Sequence, residues 1–108
     1  MPLTRDFKET VRARAQRDPK FRKALLREGI ESFLAGDTET GKTVLRDYIN
    51  ATVGFGELAH ATHRSPKSLM RMLGPAGNPN AGNLFEIIAR LQEMERIQLK
   101  VYAETAGR

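Results

Sequence analysis

The chain has 108 residues, 40% of them hydrophobic and 29% charged, which suffices for one modest core and is too apolar for wholesale disorder. Eighteen Lys and Arg against 13 Asp and Glu leave a net charge of +5, and a basic small protein is drawn to polyanions, of which nucleic acid is the commonest inside a cell. The absence of cysteine excludes disulfides, thiolate zinc sites and cysteine nucleophiles, and no apolar run approaches the ~18 residues needed to cross a bilayer.

Arg5, Asp6, Lys8 and Glu9 come early with no apolar stretch after them, which is not the pattern of a secretory signal. A cytoplasmic protein with no membrane partner is the expectation. Asp6 reads as the cap of a first helix running through Gln16. Asp18-Pro19 restarts the chain, with Asp as N-cap and Pro at the first helical position. The second helix carries Phe21, Ala24, Leu25, Phe33 and Leu34 as its apolar positions and ends near Gly36. Asp37 caps a third helix in which Val44, Leu45, Tyr48, Ile49 and Thr52 recur at the spacing of one face, closed by Gly54. Short helices follow over Phe55–Ala61 and Pro66–Leu73. The stretch from Gly74 to Gly82, with Pro75, Gly77 and Pro79, is a loop. Ala81 to about Met94 is helical, with Leu84, Ile87, Ile88 and Leu91 inward.

The tail changes period. Ile97, Leu99 and Val101 alternate with Gln98, Lys100 and Tyr102, which is strand patterning. A single strand leaves its amides and carbonyls unpaired, so it calls for a partner: the same strand of a second copy, or an edge of another protein. Ile97, Leu99 and Val101 are the dimer residues on this reading. Leu91, Met94, Ile97 and Val101 also fit helical spacing, so a helix extension through Tyr102 and a flexible tail stay open. Glu104 to Arg108 read as a frayed end.

The informative segment is Phe55 to Leu73, FGELAHATHRSPKSLMRML. A helix-turn-helix pair needs a small residue where the second helix crosses the first, and Ala59 supplies it. Four positions on, the turn wants a residue that tolerates left-handed backbone, and His63 stands there. Six further on, a branched apolar plug is required, and Leu69 provides it. Leu58, Ala61 and Met72 add inward contacts. Ser65 caps the second helix and Pro66 starts it, leaving Ser65, Pro66, Lys67, Ser68 and Arg71 facing outward.

At this point the chain resembles the Cro/phage-repressor class of helix-turn-helix proteins, and within it the antidote (HigA-like) members of bacterial toxin–antitoxin modules. The resemblance rests on LAHAT, then S-x-x-S-L-x-R-x-L, G-N-P and N-L-x-x-I-I, and covers roughly residues 41 to 101. It implies a second helix lying in the DNA major groove. Lys67 and Arg71 then donate to guanine O6 and N7, and Ser68 reads several bases. The amides of Phe55 and Gly56, at a helix start, hold a phosphate, and Asn78 and Asn80 in the following loop do likewise. Two departures stand out. His63 replaces the Gly of many relatives, at modest cost. Arg64 sits where an apolar residue is usual, and is expected to point outward to a phosphate.

The expected architecture is all-α, with five to six helices, a central helix-turn-helix and a short C-terminal strand used in dimerisation. Residues 1–35 form a helical extension packed on the core, 36–96 the DNA-binding core, and 97–108 the strand and tail. The expected function is a sequence-specific transcriptional regulator, the antitoxin of a toxin–antitoxin module that represses its own operon. Its partners are an inverted-repeat duplex, a second copy of itself and, by resemblance, a small basic RelE-like toxin. The N-terminal helices cover the toxin, shape the dimer or complete the core. A protein-binding module that neutralises a partner without DNA is the alternative.

Two patterns compete. Gly36 to Thr43, GDTETGKT, matches the P-loop spacing G-x-x-x-x-G-K-[ST] and would make Lys42 a nucleotide ligand. That loop needs a strand before it and a parallel sheet around it, whereas helical IESFLA precedes. The expected reading is a helix end, with Gly36 as C-cap and Asp37 capping the next helix. Glu57, His60 and His63 stand three apart, but a helical metal site needs more such contributions. No catalytic arrangement, cofactor or metal site is expected, and the chain does not read as an enzyme.

Overall fold

The structure, a computed structural model, describes residues 5–107, with side chains from Thr10 onward. Six helices and no strand occur among these residues: α1 (Arg5–Arg17), α2 (Pro19–Leu34), α3 (Thr38–Ala51), α4 (Gly54–Thr62), α5 (Pro66–Met72) and α6 (Ala81–Glu95). The all-α expectation holds. The cap expected at Asp6 lies outside the described side chains.

Local chemistry sets most helix ends. Asp18 accepts from the amides of Lys20 and Phe21 at 3.1 and 3.2 Å, and Pro19 opens α2. Arg22 fastens this corner by donating to the Ala15 carbonyl at 2.6 Å while its Nε pairs with Glu95 at 3.2 Å. Gly36, at φ 84°, takes the left-handed turn after α2, and the Asp37 amide bonds back to the Ser32 carbonyl at 2.9 Å.

Asp37 then caps α3, accepting from the Thr40 amide at 3.2 Å. Hydrogen bonds from the Thr40 side chain and amide hold its carboxyl below the ordinary 3.8. A carboxyl whose folded pKa is depressed contributes stability that is fully present above its unfolded value and is lost as pH falls through the folded one. Asp37→Asn keeps a capping oxygen without the titration. The drop in urea midpoint between pH 5 and acid below 3.8 should therefore be smaller in Asp37→Asn than in wild type; equal drops would show that the cap carries no pH dependence.

α2 lies along α3, its most extensive helix neighbour. The two approach closely because Gly41 sits under Phe33: a Cβ there would be 2.8 Å from the ring. Gly29 faces Val44 in the same seam. Leu34, one of the apolar positions of this helix, is 66% exposed, because it lies about 100° around the helix from Phe33 and turns off α3. Leu26, which the apolar pattern did not single out, is fully buried in its stead.

One apolar cluster joins Leu26 of α2 to Leu45, Tyr48 and Ile49 of α3, Leu58 of α4, Leu69 of α5, Leu73 just beyond it, and Ile87 and Leu91 of α6. Each such fully buried aliphatic contributes about 1.5–3 kcal/mol. The Tyr48 hydroxyl is enclosed with no hydrogen-bond partner among the described groups. Burial first, and the nearby Glu95 charge second, push its pKa up.

The C-terminal strand is corrected. α6 ends in a left-handed residue, Arg96 at φ 55°, and the Ile97 amide closes back onto the Gln92 carbonyl at 3.0 Å, which also stops a helix extension. The Leu99 amide donates to Gln92 Oε1 at 2.8 Å. Ile97 and Leu99 fold onto the chain's own core, whereas Val101 and Tyr102 are 73% and 87% exposed. The alternation is real, but a strand exists only with a ladder partner, and the described residues offer none. Two of the three residues expected to face a second copy are thereby spent inside.

Candidate nucleic-acid interface

The pair α4–α5 is built as its side-chain types require. Ala59 is 2% exposed at the crossing, Leu58 and Leu69 are fully buried, and Met72 packs at the cluster's edge. His63 adopts φ 56°, ψ 42°, the left-handed conformation the turn demands. Its amide bonds the His60 carbonyl, and the Arg64 amide reaches back to the Ala59 carbonyl at 2.9 Å, closing α4. Ser65 caps α5 by accepting from the Ser68 amide at 3.0 Å, with Pro66 at the first helical position. Ser65→Ala is worth about 1 kcal/mol of cap by the usual scale.

The exposed face of α5 carries Lys67, Met70 and Arg71, at the spacing of one helix side. Met70 is 50% exposed, an apolar residue between two cations, and the sequence reading passed over it. Ser68 is half-buried. Ser68, Arg71, Asn78, Asn80 and Asn83 line one shallow groove of about 390 Å³. Asn78 is exposed there, while Asn80 is occupied as the cap of α6, accepting from the Asn83 amide at 2.7 Å. α4 begins at Gly54 with no side-chain cap, so the amides around Phe55 and Gly56 have no side-chain acceptor.

Arg64 does not point outward. Its guanidinium donates to Glu86 at 2.8 Å and to Asn83 at 2.8 Å, tying the turn to α6. The planar fork of arginine matches two acceptors on successive turns of one helix, and that pairing outcompetes water. Arg64 therefore sets where α5 stands relative to α6.

Lys42 and Arg46, one turn apart on α3, act on the other end of α5. Lys42 is 2% exposed; its ammonium donates to the carbonyls of Gly74 at 3.1 Å and Gly77 at 2.6 Å, with Glu39 at 3.0 Å. Arg46 donates to the Leu73 carbonyl at 2.6 Å. Two cations thus neutralise the carbonyl end of α5 and pin the loop after it. The P-loop pattern is explained residue by residue: Gly36 turns the chain, Gly41 makes room for Phe33, Lys42 binds its own chain, and Thr38–Ala51 is helix. No phosphate-wrapping loop exists at this place.

His60, His63 and Glu57 are all exposed, and no three His, Cys, Asp or Glu side chains converge as metal ligands among the described residues. No described helix is long and apolar enough to cross a membrane. Comparison with protein-family models, curated proteins and solved structures returned no significant match.

Proposed function

We propose that the protein is a sequence-specific DNA-binding regulator that inserts α5 into the major groove. The observation carrying this reading is the joined geometry of α4 and α5. A left-handed His63, a buried Ala59 and a buried Leu69 set α5 so that Lys67, Met70 and Arg71 share an exposed face. Lys67 and Arg71 present donors suited to guanine edges, and Met70 between them offers an apolar contact suited to a thymine methyl. The Asn78 loop shares a groove with Arg71, and the start of α4 leaves amides without a side-chain cap, both suited to phosphate.

The same reading makes the protein a homodimer on an inverted repeat, with the exposed Val101 and Tyr102 of the tail left for the second copy. Its role as the antitoxin of a self-repressing operon, with a small basic RelE-like toxin as partner, rests on the sequence resemblance of residues 41 to 101. Selection of bound duplexes from a random library, followed by titration, tests the reading. Arg71→Ala is expected to weaken the selected site by about 1–3 kcal/mol and to relax base preference at one position of each half-site. An unchanged footprint and preference in Arg71→Ala would remove α5 as the reading element. Absence of any selected sequence, with a small protein retained instead, would support the protein-binding module.

A further inference from the structure

Most of the positive charge of this chain lies outside α4 and α5. Residues 1–27 hold nine Lys and Arg against three Asp and Glu, whereas residues 28–108 hold nine against ten. Within the second part, Lys42, Arg46 and Arg64 are consumed by internal carbonyls and carboxylates. The surplus that makes the protein basic therefore lies on α1 and the first half of α2. There Lys20, Lys23 and Arg27 recur at i, i+3 and i+7, all exposed, within an arc of about 60° of α2. They span about 10 Å of helix axis. Arg12 and Arg17 of α1 are exposed beside them in sequence.

We infer that these exposed cations of α1 and α2 form a second nucleic-acid-binding region, which holds the phosphate backbone without reading sequence. The chemistry of the region selects the partner. A protein-docking surface needs aromatic or aliphatic anchors and is depleted in lysine, and a membrane-surface helix needs an apolar face. The large exposed apolar residues of the described chain are Leu34, Met70, Phe85, Val101 and Tyr102, none of them between Thr10 and Arg27. A set of spaced cations with no large exposed apolar residue among the described side chains from Thr10 to Arg27 matches a polyphosphate chain, for which charge and spacing suffice. It goes beyond the proposed role of α5 and stands without it.

The test is the salt dependence of binding to a mixed-sequence 30-base-pair duplex, which offers phosphates and no selected site. Each phosphate contact contributes about 0.9 to the slope of log K against log salt. Lys20→Gln/Lys23→Gln/Arg27→Gln is expected to lower that slope by about 2.7, and Arg12→Gln/Arg17→Gln by about 1.8. Arg90→Gln/Arg96→Gln/Lys100→Gln, matched in charge but placed at the other end of the chain, is expected to leave it near wild type. Circular dichroism confirms that each variant retains its helices. An unchanged slope in both N-terminal variants, or equal losses in the two triple variants, overturns the inference, and a region that serves an acidic protein gives the first of these results. Lys67→Ala/Arg71→Ala measured on a selected duplex addresses α5 alone, so the two readings fail separately.

Discussion

Gly77→Ala is expected to cost about 3 kcal/mol, toward the upper part of the range for overpacked sites, and to lower the melting temperature by roughly 10–20 °C. A Cβ at this position would lie 2.2 Å from the Arg71 carbonyl oxygen and 2.3 Å from that of Met72. Both are backbone atoms of the end of α5, so no side chain can swing aside. Relief requires the loop to lift, which also breaks the 2.6 Å bond from Lys42 to the Gly77 carbonyl. Gly82→Ala is the control: nothing lies nearer than 3.5 Å, and the position is inside α6. It is expected to stabilise by about 0.5–1 kcal/mol. Thermal melts of the two variants check the pair. A Gly77→Ala variant that melts with wild type would mean the loop does not rest on α5.

Lys42→Met is expected to cost about 3 kcal/mol, because bonds from a charged donor are worth about 1.5–3 kcal/mol and the carbonyls of Gly74 and Gly77 lose theirs. Methionine keeps most of the apolar stem, so the loss is that of the ammonium rather than of packing. The Glu39 partner is a weaker contributor, since its side chain is 70% exposed and water screens the pair. Glu39→Gln should stay within ~1 kcal/mol of wild type. Urea midpoints of the two variants decide between a carbonyl clamp and an ion pair: comparable losses would assign the stability to Glu39. If α5 reads DNA, Lys42→Met also weakens specific binding, through a helix end no longer held at the angle the groove requires.

Much of the helical framework was legible because its determinants are short-range. Asp18, Asp37 and Ser65 each bond an amide two or three residues ahead, so their types and spacing announce helix starts. His63 is a residue that tolerates left-handed backbone, and it stands where the turn needs one. Arg96 takes the same conformation at the end of α6 without any such signal in its residue type, and there the Arg96 and Ile97 amides bond back to the Glu93 and Gln92 carbonyls. Met70 carries no outward signal in its residue type, and its exposure follows from α5 being a single short segment with one buried side.

The roles of the charged side chains were decided by the tertiary structure. From sequence, Arg64 is a cation after a turn and Lys42 a cation in a phosphate-loop pattern; apart from Glu39, what they bind lies 19 to 35 residues away. Long flexible side chains with multiple donors take whichever acceptors folding delivers, and no local spacing encodes that choice. The tail shows the same division: its alternation was visible, but whether a strand forms depends on a ladder partner, and folding instead turned Ile97 and Leu99 onto the core. Residue type and spacing alone settled the helices up to Glu95, the caps that begin α2, α3 and α5, and the apolar plug of the turn, since those depend on contacts within a few residues. Which cations face solvent and which lock the fold was left to the packing of helices far apart in sequence, because a hydrogen bond needs both of its ends in place.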